Sequence, residues 1–214
     1  MGTAPFPAIA LLHRCRSLPR RLLRNFDTFV LCCDNTDTPL MEPAHSLHRL
    51  QGADPATVLT AQQVMQAAGE PVAVVAERLR QGDALYVLSN DGQWAAFSWI
   101  CFMRRKEIGV WIAAAPTRAV LYNLFTLPAW RKRGLSQRLI RAIRAELAPQ
   151  GWRELVASCN RENTASTQAL TQAGFRPVLK THRLLIADRY FTPIQIEVLE
   201  PQGSTLLEPC QAHR

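Results

Sequence analysis

Hydrophobic residues recur every three or four positions in three parts of the chain, the period of a helix that packs on one side. In the clearest of these parts the apolar positions are Leu135, Leu139, Ile143 and Leu147. Glycine or proline residues divide or end each of the three parts. The pattern predicts helices within residues 56–81, which Gly69-Glu70-Pro71 divides in two, over 134–148, and over 163–173.

The other apolar residues fall in short runs, as they do in strands. The turn Ser89-Asn90-Asp91-Gly92 joins two such runs, and an Asp-Gly turn in this setting predicts a hairpin and antiparallel pairing. Residues 104–117 either extend the second arm of that hairpin or form a loop. The predicted strands are 26–33, 45–50, 84–88, 93–103, 119–127, 154–159, 175–187 and 194–199.

Alternation of strands and helices in the second half predicts an α/β fold. A chain of 214 residues, 48% hydrophobic and 20% charged, fits one globular domain with extensions. We place the domain at 45–200, after an N-terminal extension at 1–44 with a helix and a strand, and before a C-terminal tail at 201–214. With no membrane-length apolar run and no signal-peptide pattern, we expect a cytoplasmic protein.

The six cysteines form no Cys-x-x-Cys pair and no spacing with histidines that is typical of zinc. Adjacent Cys32 and Cys33 are poorly placed for a disulfide. We therefore expect reduced thiols, several of them buried, and no bound metal.

The formal net charge of +8 favours polyanionic partners. Five arginines and no acid lie in residues 1–25, where apolar residues recur on one helical face. This pattern indicates a basic helix that either docks on an anionic membrane surface or an acyl carrier protein, or packs on its own domain. No motif for specific nucleic-acid binding is present, and a homodimer stays open.

A second basic cluster surrounds the helix at 134–148. Arg138, Arg141 and Arg144 lie away from its apolar stripe, so we expect a solvated basic side, with contact to the 3′-phosphate of a nucleotide cofactor or to an acidic partner as the alternative. Just before the helix, a strand and a short turn carry three cations and then a glycine. Backbone N–H groups at a helix N-terminus bind phosphate, and glycine lets the ligand approach closely, so this form predicts a diphosphate site.

The motif Arg131-x-x-Gly134-x-Ser136 resembles the Gln/Arg-x-x-Gly-x-Gly/Ala signature of the GNAT superfamily, with serine as a mild departure in the last position. A second resemblance follows in the expected order: Asn163-x-x-Ser166, and then the end of a helix in Ala173-Gly174-Phe175. The resemblance extends over residues 45–188. It implies the GNAT-type α/β fold, a central, mostly antiparallel mixed sheet with flanking helices, and acetyl-CoA or another acyl-CoA as co-substrate.

The resemblance also implies where the cofactor binds. The backbone of 124–126 would run antiparallel to the pantetheine arm, 131–136 would wrap the diphosphate, and the asparagine would face the cofactor unless it only caps its helix. The predicted cofactor-binding residues are Leu124, Phe125, Thr126, Arg131, Lys132, Arg133, Gly134, Leu135, Ser136 and Asn163.

Two catalytic positions of the family are occupied here by apolar residues. Leu170 stands where a tyrosine usually protonates the thiolate, and Val120 stands at a frequent base position. The resemblance makes the backbone N–H of Leu124 the candidate oxyanion donor. Tyr122 and Ser166 are the candidate catalytic side chains.

Tyr122 is expected to share strand parity with Leu124 and Thr126, although a packing role is the alternative. Glu107 and His182 are weaker candidates. The resemblance implies an N-acyltransferase, most readily an N-acetyltransferase, in which an amine attacks the acyl-CoA directly in a ternary complex. The alternative is a non-catalytic acyl-CoA-binding regulatory module.

Overall fold

The structure is a computed structural model that describes residues 23–35, 46–107, 110–186, 189–190 and 194–207. The predicted basic helix within residues 1–25 lies almost entirely outside these ranges, and the part described, from residue 23, is a strand. Among the described residues, no helix has both the length and the apolar character needed to cross a membrane.

The described elements follow the predicted order closely. The strands are β1 (Leu23–Asp34), β2 (Ser46–Gln51), β3 (Ala84–Asn90), β4 (Gln93–Cys101), β5 (Arg105–Glu107), β6 (Val110–Ile112), β7 (Arg118–Thr126), β8 (Glu154–Asn160), β9 (Arg176–Ile186), β10 (Arg189–Tyr190) and β11 (Gln195–Val198). The helices are α1 (Pro55–Ala67), α2 (Val75–Arg80), α3 (Leu135–Leu147), α4 (Thr164–Gln172) and α5 (Pro201–Leu206), and short 3-10 turns flank α3 at Pro128–Trp130 and Ala148–Gln150.

A central mixed sheet organises the described chain, in the order β10-β9-β1-β8-β7-β4-β3-β2, with β11 also paired to β9. Its pairings are antiparallel except for β7 with β8. The Asp-Gly turn joins β3 to β4 as predicted. Residues 104–117 neither extend β4 nor stay irregular, because they contain the separate hairpin β5–β6.

Helices cover both faces of the sheet. The first face carries α3 and α4, and its core includes Leu139, Ile143 and Leu170. The second face carries α1, α2 and α5, and its core includes Val64 and Leu206. Burial on both sides makes β3 a nearly continuous apolar run, which is why its alternation is weak in the sequence.

Strand β1 lies inside the sheet, between β8 and β9 and antiparallel to both. The domain boundary expected at residue 45 therefore does not separate β1 from the sheet: residues 23–34 are part of the folded body. Cys32 and Cys33 on this strand are buried, as are Cys101 and Cys159, in agreement with the expectation that several of the cysteines are buried.

Arg144 corrects the expectation of a solvated basic side on α3. Only 9% of the residue is exposed, and its guanidinium donates to Ala173 O at 2.7 Å, Asp34 O at 2.8 Å and Asn35 Oδ1 at 3.3 Å. The side chain thus ties α3 to the end of α4 and to the end of β1. Arg138 and Arg141 are exposed, as predicted.

We expect Arg144→Leu to lower the free energy of unfolding by about 2–4 kcal/mol, because it leaves buried carbonyl oxygens without their charged donor. Arg141→Leu, on an exposed position of the same helix, should change it by no more than about 0.5 kcal/mol. Equilibrium unfolding in urea measures both. Equal effects of the two substitutions would contradict the role assigned to Arg144.

Candidate functional site

Strand β7 contains a bulge at Leu124, the residue whose backbone N–H is the candidate oxyanion donor. Tyr122 pairs with Trp99 and Phe125 pairs with Phe97, so two residues of β7 lie opposite Ser98 alone. Asn123, inside the bulge, has a φ of 49°. A bulge leaves a residue out of the regular ladder and reverses the alternation of side chains beyond it.

Strands β7 and β8 separate at the same level. Their parallel pairing runs from Arg118 and Glu154 to Leu121 and Ala157, and both strands continue beyond the last pair. An opening thus lies between the two strands in the middle of the sheet. The end of β7 beyond it faces α3 and α4.

A tight connection leads from β7 into α3. The 3-10 turn Pro128–Trp130 is followed by two residues of positive φ, Lys132 at 62° and Gly134 at 71°, and the glycine caps α3. A Cβ at Gly134 would meet no atom within 4 Å, so the glycine is required for its conformation and leaves open space in front of the helix. The first N–H groups of α3 point toward that space.

A pocket of about 710 Å³ lies between the end of β7, the start of α3 and α4. Ten of the predicted residues line it, namely Leu124, Phe125, Thr126, Arg131, Lys132, Gly134, Leu135, Ser136, Asn163 and Ser166. The structure therefore brings together one continuous segment and the start of a distant helix, as the two motifs require.

Polar contacts fix the wall of the pocket. The hydroxyls of Thr126 and Ser136 lie 2.8 Å apart, which joins the strand to the first turn of α3. Arg131 donates to Thr126 O at 3.2 Å, and its guanidinium lies 5.6 Å from the ring centre of Phe125. The positive charge of Arg131 is thus held beside the helix N-terminus, where an anion is also favoured by the helix dipole.

Asn163 fills both roles that were weighed for it in the sequence. Its Oδ1 accepts from Ser166 N at 3.1 Å, which is the N-cap bond of α4, and the residue also lines the pocket. Ser166 lines the pocket beside it. A catalytic role for Ser166 stays a prediction.

The predicted set and the lining differ in a few residues. Arg133 is not part of the lining and packs its guanidinium over Trp130, with 4.9 Å between Cζ and the ring centre. Trp130 itself lines the pocket, and so do Gln137, Ala165, Gln168 and Ala169. Spacing in the sequence could have identified them as lining residues, since each lies within one helical turn of a predicted residue or next to one in the chain.

The two vacant catalytic positions of the family are buried here. Leu170 is 1% exposed and belongs to the first-face core, and Val120 is 2% exposed and belongs to the second-face core. Neither side chain lines the pocket.

The expected parity of Tyr122 is wrong, because the bulge intervenes. Tyr122 lies in the second-face core, whereas Leu124 packs on the first face. The phenol donates to Asp83 Oδ2 at 2.5 Å. Burial raises the pKa of Tyr122, and the hydrogen bond to Asp83 raises it further, so the phenol stays protonated at neutral pH.

The weaker candidates occupy different places. Glu107 accepts from Ser158 Oγ at 2.8 Å on the second face, beside the opening. His182 lies between Asp27 and Glu197, at 2.9 and 3.3 Å, and does not line the pocket.

Comparisons with known proteins agree with this architecture. A protein-family profile described as "FR47-like protein" matches residues 100–184 of the chain. This range includes every residue that lines the pocket. The comparison with curated proteins gave no match.

Solved structures of the same fold come from several bacteria. A putative GNAT acetyltransferase from Novosphingobium aromaticivorans has 23% identity over 72% of this chain and 60% of its own, with a TM-score of 0.51. A GNAT acetyltransferase from Colwellia psychrerythraea has 15% identity over 82% of this chain and 57% of its own, with a TM-score of 0.55. The chain thus spans less than two thirds of either structure's length, and at these identities the likeness establishes the fold alone.

We expect Tyr122→Phe to lower the free energy of unfolding by about 1–3 kcal/mol, because Asp83 loses a buried donor. Binding of acetyl-CoA should not change, since the ring faces away from the pocket. Tyr86→Phe is the matched control: it removes a phenol that donates to Glu146 at 3.1 Å. Calorimetry and urea unfolding measure the two effects, and a loss of acetyl-CoA affinity in Tyr122→Phe alone would place the phenol in the cofactor site.

Proposed function

We propose that this chain is an acyl-CoA-dependent N-acyltransferase of the GNAT superfamily, a proposal supported by its fold and by its FR47-like segment. Acetyl-CoA is the donor that we consider first. The observation that carries the proposal is the pocket at the start of α3, which lies directly beside the opening between β7 and β8.

The pocket suits the diphosphate of coenzyme A. N–H groups at the start of α3 would donate to phosphate oxygens, Gly134 would let them approach, and Arg131 and Lys132 would balance the charge. Ser136 is oriented by Thr126 and can add a hydroxyl donor. All of these contacts come from one continuous strand, turn and helix start. The residues that make them are therefore close together in the sequence, where they form the motif.

The end of β7 would hold the pantetheine arm by adding it as a further strand. Within the bulge, the N–H of Leu124 is the candidate donor to the carbonyl oxygen, where negative charge develops during acyl transfer. Bound acyl-CoA would supply the acyl group as an activated thioester. The backbone thus provides both the positioning and the electrostatic stabilisation.

No side chain is needed as a fixed acid in this proposal. The position of the usual tyrosine, Leu170, packs into the core, and the phenol of Tyr122 donates to Asp83. The attacking amine loses one proton as the N–C bond forms and the C–S bond breaks, and we propose that water in the open pocket carries that proton to the departing thiolate, which is a tolerable leaving group. Ser166, which lines the pocket, is our candidate hydroxyl for relaying that proton.

Substitution of Gly134 tests the cofactor site. We expect Gly134→Glu to weaken acetyl-CoA binding by at least about tenfold, because a carboxylate would stand beside the diphosphate. Gly151→Glu is the control: Gly151 also has a positive φ, 90°, and a Cβ added there would also meet no atom within 4 Å, but this glycine lies beyond the other end of α3.

Calorimetric titration with acetyl-CoA distinguishes the two variants. Strain from a side chain at positive φ is common to both, about 1–2 kcal/mol, and so cancels in the comparison. Unchanged affinity in folded Gly134→Glu, or an equal loss in Gly151→Glu, would show that the diphosphate does not bind at this end of α3.

Turnover separates an enzyme from the regulatory alternative, which the buried Leu170 and Val120 favour. We expect release of free thiol when the protein is incubated with acetyl-CoA or longer acyl-CoAs and a panel of primary amines. The amine that gives release, and the acyl chain that supports it, identify both substrates. Tight acetyl-CoA binding without release for any amine would indicate a binding module.

A further inference from the structure

The second face of the opening is crossed by a short strand. Tyr122 and Ser158 are the first residues beyond the last pair of β7 and β8, and both side chains lie toward the second face. On β5, Glu107 accepts from Ser158 Oγ at 2.8 Å, while the guanidinium of Arg105 lies 3.2 Å from the ring centre of Tyr122. Strand β5 therefore bridges the two separated strands, opposite the cofactor pocket.

Glu107 is the acidic residue of this bridge and lies at its β8 end. Arg105 Nε donates to Glu107 Oε1 at 2.5 Å, and Ser158 holds the other carboxylate oxygen. The side chain of Glu107 is 14% exposed. Its carboxylate is thus fixed in orientation beside the opening.

A second pocket, of about 530 Å³, adjoins the bridge on the β7 side. Its lining includes Asp83 and the consecutive cations Arg104, Arg105 and Lys106. Asp83 is 2% exposed and is already bonded to Tyr122, with Arg105 at 3.9 Å. The pocket therefore presents an excess of positive charge to whatever enters it.

Two buried donors lie against the same network. Trp99 Nε1 and Arg78 Nη1 have no hydrogen-bond partner among the residues that the structure describes. Trp99 stacks on Tyr122 with ring centres 6.3 Å apart, and the guanidinium of Arg78 lies 5.2 Å from both ring centres. Buried donors are normally satisfied, so this side of the network is short of acceptor oxygens.

We propose that the acyl acceptor binds across β5 on the second face and is an amine that also carries an anionic group, a carboxylate or a phosphate. Glu107 attracts the ammonium to the opening, and Arg104, Arg105 and Lys106 hold the anionic group. This inference rests on the proposed acyltransferase function and adds the class of its acceptor. A purely cationic amine would meet three positive side chains on the way to one carboxylate, and so fits the surface less well.

The test compares matched amines that differ in the anionic group. The probes are 2-aminoethyl phosphate against 2-aminoethanol, and β-alanine against its amide, with spermidine as a purely cationic amine. Thiol release with acetyl-CoA is measured for each. We expect kcat/KM to be at least about tenfold higher for the anionic member of each pair, a preference that decreases with added salt.

Variants assign the effect to the two groups. The double variant Arg104→Gln with Lys106→Gln, at two exposed positions, should abolish the preference for the anionic members. Glu107→Gln should raise KM for both members of a pair about tenfold or more. Controls are the double variant Arg141→Gln with Arg153→Gln, at two exposed positions, and Glu70→Gln between α1 and α2, which remove the same number and sign of charges elsewhere.

Calorimetry with acetyl-CoA separates this inference from the function on which it rests. Acetyl-CoA affinity should be the same in all four variants and in the wild type. A wild-type protein that does not bind acetyl-CoA refutes the proposed function. Binding of acetyl-CoA without thiol release for any amine also refutes the proposed function. A protein that acylates at least one amine refutes only the acceptor class if it prefers spermidine or the uncharged members, acylates neither anionic probe, or keeps its preference in the double variant.

Discussion

The end of the pairing between β7 and β8 is the constraint on which both proposed sites depend. Beyond Leu121 and Ala157 the strands no longer bond to each other, so the sheet opens in its middle instead of at its edge. On the first face the released end of β7 forms a wall of the cofactor pocket, and on the second face β5 spans the same opening. The end of this pairing thus makes the opening accessible from both faces of the sheet. The proposed acyl transfer requires such access, because the acyl donor and the amine must meet at one place.

Most of the cofactor pocket was predictable from the sequence because its parts are local. Strand, turn and helix start lie within residues 124–136, and the special backbone at Gly134 follows from the residue type. The predicted Asn163 is also local, since an asparagine before a helix both caps it and stands at its exposed end. The helices were predictable from their apolar period, and β3–β4 from its turn.

The features that sequence reasoning missed depend on contacts between distant residues. The bulge places Tyr122 and Leu124 on opposite faces of the sheet. It is defined by the pairing of β7 with β4, and the residue types in β7 do not predict it. Arg144 has the sequence context of a solvated arginine, and is buried because α4 and β1 bring carbonyl oxygens around it. The insertion of β1 between β8 and β9 likewise joins residues more than a hundred positions apart.

The bulge also accounts for how the chain separates two electrostatic tasks. On the first face, backbone N–H groups and the exposed Arg131 and Lys132 act on an open pocket, so attraction there is screened by salt. On the second face, Tyr122 and Asp83 are buried and bonded to each other, which fixes the groups around them. Had β7 kept its regular alternation, Leu124 would lie on the second face with Tyr122, and its side chain would not line the pocket on the first face. The irregular residue at 123 therefore allows one strand to line the proposed cofactor pocket on one side and an ordered polar network on the other.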